Sequence, residues 1–324
     1  TVASIAKVLS LPLNQRRKLD AATLSLMCAQ GLNGAEHLDV QRCLATLDTW
    51  AERVASETTR NSHRFRRKPQ EFRNSEGYFR MLLLVTVLQQ DFGVRYNPAR
   101  ITPLENPEPD STFVADSRDL FLHGILGPRR MGTCISMPVL YVAVGRRLGY
   151  PLKLVTVKGH LFARWDGDER FNIEGTNSGL NCFEDDYYQT WPYPLSAAEV
   201  KSGHYLKSLT ADEELGLFLS TRGQCLFHHG RVEEAKEAFA QAAQLAPHWP
   251  EHHQMLARAS QGVAAILPSP SVPYLTQQAR AEIDAHAARV EAINQQNRAM
   301  MEARFRELQA PLVLGQPFQP ANPR

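Results

Sequence analysis

The stretch of this chain best suited to carry chemistry is Arg129-Arg-Met-Gly-Thr-Cys134-Ile-Ser-Met-Pro138. Gly132 and Thr133 interrupt the chain before an apolar run that reads as a helix, so Cys134 is expected at or near a helix N-terminus. Free N–H groups and the helix macrodipole favour a thiolate there, and the thiolate is the nucleophilic form. Pro138 lacks a backbone donor and fits a helix only in its first turn, which places the helix start near Cys134. His160 stands in Val157-Lys-Gly-His160, at the edge of a β-like run, with Gly159 allowing close approach of another group. A helix-start thiol facing a strand imidazole permits proton transfer: the ring takes the thiol proton and later returns it to a leaving group. Further on, Phe171 and Ile173 alternate with Asn172 and Glu174. Glu174 is expected to orient His160 and stabilise the imidazolium, with Asn172 as a weaker substitute in that role.

Taken singly, a cysteine is most often a small buried hydrophobe and a histidine a hydrogen-bonded structural residue. The order and local structure of the three give the reactive reading its weight. A zinc site from Cys134, His160 and Cys182 lacks a short-spaced ligand pair. His228-His229 and His252-His253 are adjacent pairs, which diverge on a helix and chelate poorly. No phosphate-binding glycine pattern occurs, so no cofactor is expected.

These residues need elements to hold them. Residues 134–148 read as a helix with Arg146 and Arg147 in its last turn, then Gly149 and Pro151 as stop signals. Residues 152–157 and 161–165 are β-like, Asp166-Gly167-Asp168 marks a hairpin turn, and 170–173 is the return strand. The fold class is therefore α+β and mostly helical: a cysteine-bearing helix packed on a small antiparallel sheet. Upstream, residues 2–58 read as helical, with Val40, Cys43, Leu44, Leu47, Trp50 and Val54 at helical spacing. Residues 60–73 carry six basic side chains and read as a solvated basic connector, without the surrounding module that nucleic-acid binding would need. Residues 76–92 form an apolar helix and 116–126 another, with a proline-rich loop at 97–111 as a candidate flap.

Downstream, Gly223, Leu226, Gly230, Ala235, Phe239, Ala242 and Pro247 sit at the landmarks of a 34-residue helix–turn–helix of tetratricopeptide type. One such unit cannot bury its own apolar face, so it packs on the rest of the chain or on a partner. Residues 252–265 read as a closing helix, 268–273 as a linker and 276–309 as a long polar helix. The expected organisation is 1–75 helical region, 76–205 Cys/His core, 206–266 tetratricopeptide-type helices, and 267–324 linker, long helix and tail.

Composition sets the outer limits. The 324 residues are 43% hydrophobic and 22% charged, which excludes a fully disordered or collagen-like chain. Lys and Arg number 36 against 34 acids, a net +2 that argues for no particular partner class. The longest strongly apolar run, residues 81–88, is far short of the ~20 residues of a membrane helix. Five scattered cysteines without a CxxC pair fit a reducing compartment, so a cytoplasmic location is expected, although the chain opens at Thr1 and a leader segment could have been removed.

The block FLHGIL…RRMGTCISMPVLYVAVGRRLGYPLKLVTVKGHLFARW…FNIEGTNSG resembles the transglutaminase-like superfamily, and within it the bacterial SirB-type branch. The AEHLDV segment near the N-terminus and the tetratricopeptide unit after the core are similar to that branch too. The resemblance, over roughly residues 30–260, implies a papain-like fold with Cys134 as nucleophile, His160 as base and Glu174 at the acid position, where many members have Asp.

Two functions follow as expectations. The first is a cysteine-nucleophile enzyme, a protease, amidase or acyltransferase acting through a thioester on a peptide or protein substrate, with the Cys134 N–H as one oxyanion donor. The second is a non-catalytic scaffold that holds a protein partner through the tetratricopeptide unit or the C-terminal helix. Neither reading involves nucleic acid or membrane.

Overall fold

The computed structural model describes residues 4–100, 112–176 and 178–262, together with residues 299 and 303. All of the expected long helix at 276–309 except residues 299 and 303, and most of the proline-rich loop, therefore lie outside the described residues. Four helices come first: α1 (Ile5–Ser10), α2 (Leu13–Arg16), α3 (Ala21–Ala29) and α4 (Val40–Arg67). Asp20 and Asp39 cap α3 and α4 by accepting from the N–H groups of Thr23 and Arg42. Residues 60–73 are not a free connector, because α4 continues through Arg67. Its closing turns place Arg64, Arg66 and Arg67 at the carbonyl end, where cations complement the dipole.

The next elements are α5 (Glu76–Thr86), the short strand β1 (Arg95–Tyr96), α6 (Ser117–Leu120), α7 (Leu122–Leu126) and the short strand β2 (Met131–Gly132). The helix expected over 76–92 changes to a π turn at Val87–Asp91 before Gly93 ends it with φ +68°. The helix expected over 116–126 is two pieces, because Phe121 is extended. The chain folds back so tightly there that a Cβ on Gly124 would lie 1.8 Å from the Arg118 carbonyl oxygen.

The core helix α8 (Ser136–Arg147) leads to β3 (Leu152–Val157), β4 (His160–Asp166) and β5 (Arg170–Ile173), an antiparallel sheet in the order β3-β4-β5. Leu152, Leu154, Ala163 and Ile173 enter the main core with α8. Val155, Val157 and Phe162 instead join Phe183 and Tyr188 in a second small cluster, capped by α9 (Asp185–Thr190).

After α10 (Ala197–Ser202), the chain closes with α11 (Ala211–His228), α12 (Val232–Leu245) and α13 (Pro250–Gln261). Gly223 lets α11 and α12 close together, since a Cβ there would meet the Phe239 ring at 2.6 Å. The hairpin packs on the body: Arg222 Nη1 donates to the carbonyls of Cys28 (2.8 Å) and Gln30 (2.7 Å) at the end of α3. Buried Glu214 takes both Nη groups of Arg146, at 2.9 and 2.6 Å. Apolar residues of α3, α8 and α11 share one continuous core.

Candidate active site

Cys134 sits at the start of the helical turn that leads into α8. The Met137 N–H bonds to the Thr133 carbonyl at 2.9 Å, the first helical bond of the segment. The Thr133 hydroxyl accepts from Ile135 N–H (3.3 Å) while Ser136 Oγ accepts from Thr133 N–H (3.0 Å), a reciprocal cap. Both hydroxyls also donate to the Asp119 carbonyl, at 2.7 and 3.1 Å, which ties the cap to α6. Cys134 is thus the first residue inside the capped turn, and it is partly open to solvent. Pro138 falls in the first turn of α8, where its missing donor costs least.

His160 is the first residue of β4 and is buried. Its Nε2 bonds to Glu174 Oε2 at 2.9 Å. The β4–β5 ladder pairs Ala163 with Ile173 and Arg164 with Asn172. Continuing that register puts Glu174 opposite Phe162, so it meets His160 on the diagonal, within reach of a long side chain. The carboxylate has four donors: His160 and the Tyr188 hydroxyl (3.1 Å) on Oε2, and the Thr176 N–H (2.9 Å) and hydroxyl (2.8 Å) on Oε1. With Nε2 engaged by Glu174, Nδ1 is the other ring nitrogen, and Cys134 lies close enough to act on the charge of the ring. Trp191 packs edge-on against the His160 ring with centroids 4.6 Å apart, and Tyr188 stacks on Phe162 at 3.9 Å.

Burial opposes charge on His160, but the Glu174 carboxylate and the hydrogen bonds from Cys134 and Glu174 outweigh it and raise the ring to about 10. Burial likewise opposes charge on Glu174, yet His160 and Thr176 hold the carboxyl below its usual range. The pair is therefore an imidazolium–carboxylate pair around neutral pH. Four further cysteines lie outside the site. Burial pushes Cys28 and Cys182 up to about 12, and Cys43 and Cys225 up to about 11.

The structure brings Cys134, His160 and Glu174 together and leaves Asn172 out. Asn172 accepts from Arg164 Nε at 2.7 Å and donates to the Phe183 carbonyl and Asp185, at 2.9 and 2.8 Å. It helps satisfy Arg164, a fully buried guanidinium whose Nη2 also reaches Asp185 at 2.5 Å. Three residues beyond the expected set touch the site: Tyr188, Thr176 and Trp191. Thr176 follows directly from the strand, and Tyr188 lies in the Asp185-Asp186-Tyr187-Tyr188 run that read equally well as cleft or surface. Trp191 stands just past α9, with no periodicity to mark it. Among the described residues no group of His, Cys, Asp and Glu is placed to hold a metal ion.

A family model described as the transglutaminase-like superfamily matches residues 41–213, over half the chain. The chain belongs to the transglutaminase-like superfamily. A tetratricopeptide-repeat model matches residues 216–249, directly after this transglutaminase-like region, and suggests protein interaction. No curated protein matches the chain. Among solved structures, it is similar to menin, in a crystal structure that reveals the binding site for Mixed Lineage Leukemia (MLL) protein. The identity is 14% and the TM-score 0.28, covering 80% of this chain and 67% of menin. No helix among the described residues of this transglutaminase-like protein is long and apolar enough to cross a membrane.

Proposed function

We propose that this protein is a cysteine-nucleophile acyl-transfer enzyme acting on amide or ester carbonyls of peptide-like substrates. The observation that carries the reading is the buried His160–Glu174 pair, with Cys134 as the ring's remaining neighbour at a capped helix start. The proton that Cys134 shares with His160 rests on Nδ1, and the sulfur lone pair forms a bond to the substrate carbonyl carbon as the C=O π pair moves to oxygen. Collapse reforms the carbonyl and breaks the bond to the leaving group, which takes the proton from His160. This leaves a thioester. Water or an amine then gives its proton to His160, attacks the thioester and releases Cys134, giving hydrolysis or transamidation respectively. Glu174, with its four donors, holds the ring and its charge throughout.

The test is iodoacetamide alkylation of Cys134 across pH, on the native chain and on His160→Ala. Burial raises the other four cysteines, which keeps them slow at pH 6–7 and makes the readout selective. Fast alkylation at pH 6 that falls at least tenfold in the variant supports the reading. A slow thiol indifferent to His160 overturns it. The site would then be structural, and the second expectation, a scaffold for a protein partner, would take its place.

A further inference from the structure

His160, Phe162 and Arg164 alternate along β4 and so share one of its faces. The α9 segment covers that face in steps of three residues. Asp185 meets Arg164, Tyr188 stacks on Phe162 with centroids 3.9 Å apart, and Trp191, just past the helix, packs edge-on against His160 at 4.6 Å. Tyr188 and Trp191 thus border the reactive pair, since the Tyr188 hydroxyl donates to Glu174 as well. The Arg164–Asp185 contact does not. It lies four residues along the strand from His160, roughly 13 Å away.

That distant contact is nevertheless the one that fixes the register. Arg164 is fully buried, and each of its nitrogens has an acceptor on a different part of the chain. Nε donates to Asn172 Oδ1 on β5 at 2.7 Å, Nη1 to the Leu206 carbonyl at 2.9 Å, and Nη2 to Asp185 Oδ1 at 2.5 Å. Asn172 Nδ2 donates to the same Asp185 oxygen at 2.8 Å and to the Phe183 carbonyl, two residues before α9, at 2.9 Å. Arg170, the second cation near Asp185, stands 3.7 Å away with an exposed side chain and adds little. Stacked rings tolerate sliding over each other, whereas a buried guanidinium does not tolerate the loss of its carboxylate. A helix of six residues has little stability of its own and takes its place from such contacts. We propose that Arg164 and Asp185 are positioning residues of the active site: their ion pair sets where α9 lies along β4, and so delivers Tyr188 to Glu174 and Trp191 to His160.

The inference deepens the acyl-transfer reading and rests on it, but its test is read on the histidine itself. His160 is raised because Glu174 and the hydrogen bonds outweigh burial. When α9 shifts, water reaches the pair, both influences shrink, and the ring relaxes from about 10 toward its ordinary 6.5. In Asp185→Ala, the His160 ring signals, identified by their absence in His160→Ala, are expected to lose their NOE to the Trp191 ring and to titrate about two units lower. Iodoacetamide alkylation of Cys134 at pH 6 should fall about tenfold. A native NOE and a native titration beside a lowered urea midpoint would make the ion pair structural only, and overturn the proposal. A titration that moves while the NOE stays would mean that the Asp185 charge acts through space, and overturns it as well. Asp185→Asn keeps the size of the side chain and weakens only the ion pair. It is read in the same way, and both signals are expected to move in the same direction by less; no movement in either overturns the proposal. The acyl-transfer reading fails separately: native Cys134 alkylation indifferent to His160 sinks that reading, while the NOE and the titration still test the register.

Discussion

Glu174 reaches His160 along a diagonal of the β4–β5 ladder, and closes a 2.9 Å bond to Nε2 with both residues buried. The reach depends on side-chain length. An aspartate at the same register position falls short by one methylene, and would have to give up either the imidazole or the Thr176 donors on its other oxygen.

Glu174→Gln keeps the shape and removes the charge. Burial, the largest influence on His160, would then act with its main opponent gone. The ring is expected to drop from about 10 to below its ordinary 6.5, which a histidine NMR titration measures directly. Alkylation of Cys134 at pH 7 should fall in parallel. A ring that stays charged at pH 8 in this variant would show that Glu174 is not what holds the proton.

Tyr188→Phe tests the clamp on the same carboxylate. The ring stack on Phe162 survives, and one donor to Oε2 is lost. A cost of about 1 kcal/mol in urea unfolding at pH 7 is expected. The His160 titration should move less than in Glu174→Gln, because the charge is retained. A larger movement would mean that Tyr188 sets the carboxylate's position rather than merely bonding to it.

Arg146→Ala removes both hydrogen bonds from the sheet-bearing core to Glu214 of α11, and leaves Glu214 buried at 2% exposure without its partner. Roughly 2–3 kcal/mol of stability should be lost. Glu214→Gln in the same chain should restore part of it, because the stranded charge disappears. Unfolding should stay a single transition by fluorescence and circular dichroism, since α3 and α11 share one core. Two separated transitions would contradict this packing.

Acid should weaken the fold through two buried histidines. Burial pulls both His123 and His252 down to about 4. Unfolded, each would bind a proton near 6.5, while folded it stays neutral until about 4. The unfolded chain therefore holds more protons across that window, and stability falls as pH drops from about 6.5 to 4, by up to roughly 3 kcal/mol per residue. His252→Leu should flatten the slope of urea midpoint against pH in this range. An unchanged slope would mean that His252 is charged when folded.

Legibility from sequence tracked how local each determinant was. The helix start at Cys134 was readable because Gly132, Thr133 and Pro138 are all within one turn of it. The alternation of Asn172 and Glu174 was readable for the same reason, and the β4–β5 pairing puts both on the face of Arg164. What period-2 reasoning could not supply was the division of labour between them. Arg164, buried one pair along, claims Asn172 and leaves the histidine to Glu174. Trp191 is not legible as a site residue because it packs on His160 from just past α9, in a stretch with no periodicity. The basic run at 60–73 was misjudged as a connector. Charge density alone does not show that its arginines close a helix whose apolar stripe runs on to Phe65, packed against Phe72 and Phe79.

The grip of Arg222 on the carbonyls of Cys28 and Gln30 bears on how this chain is put together over evolutionary time. A lone repeat bound through the backbone of α3 is no longer a transferable cassette. Losing it would strip cover from Leu24, Cys28 and their neighbours in the shared core, and lengthening the array would have to begin from α13 rather than α11. The solvent faces of α12 and α13 are thus the part of the repeat with room to vary, while α11 is held by the core.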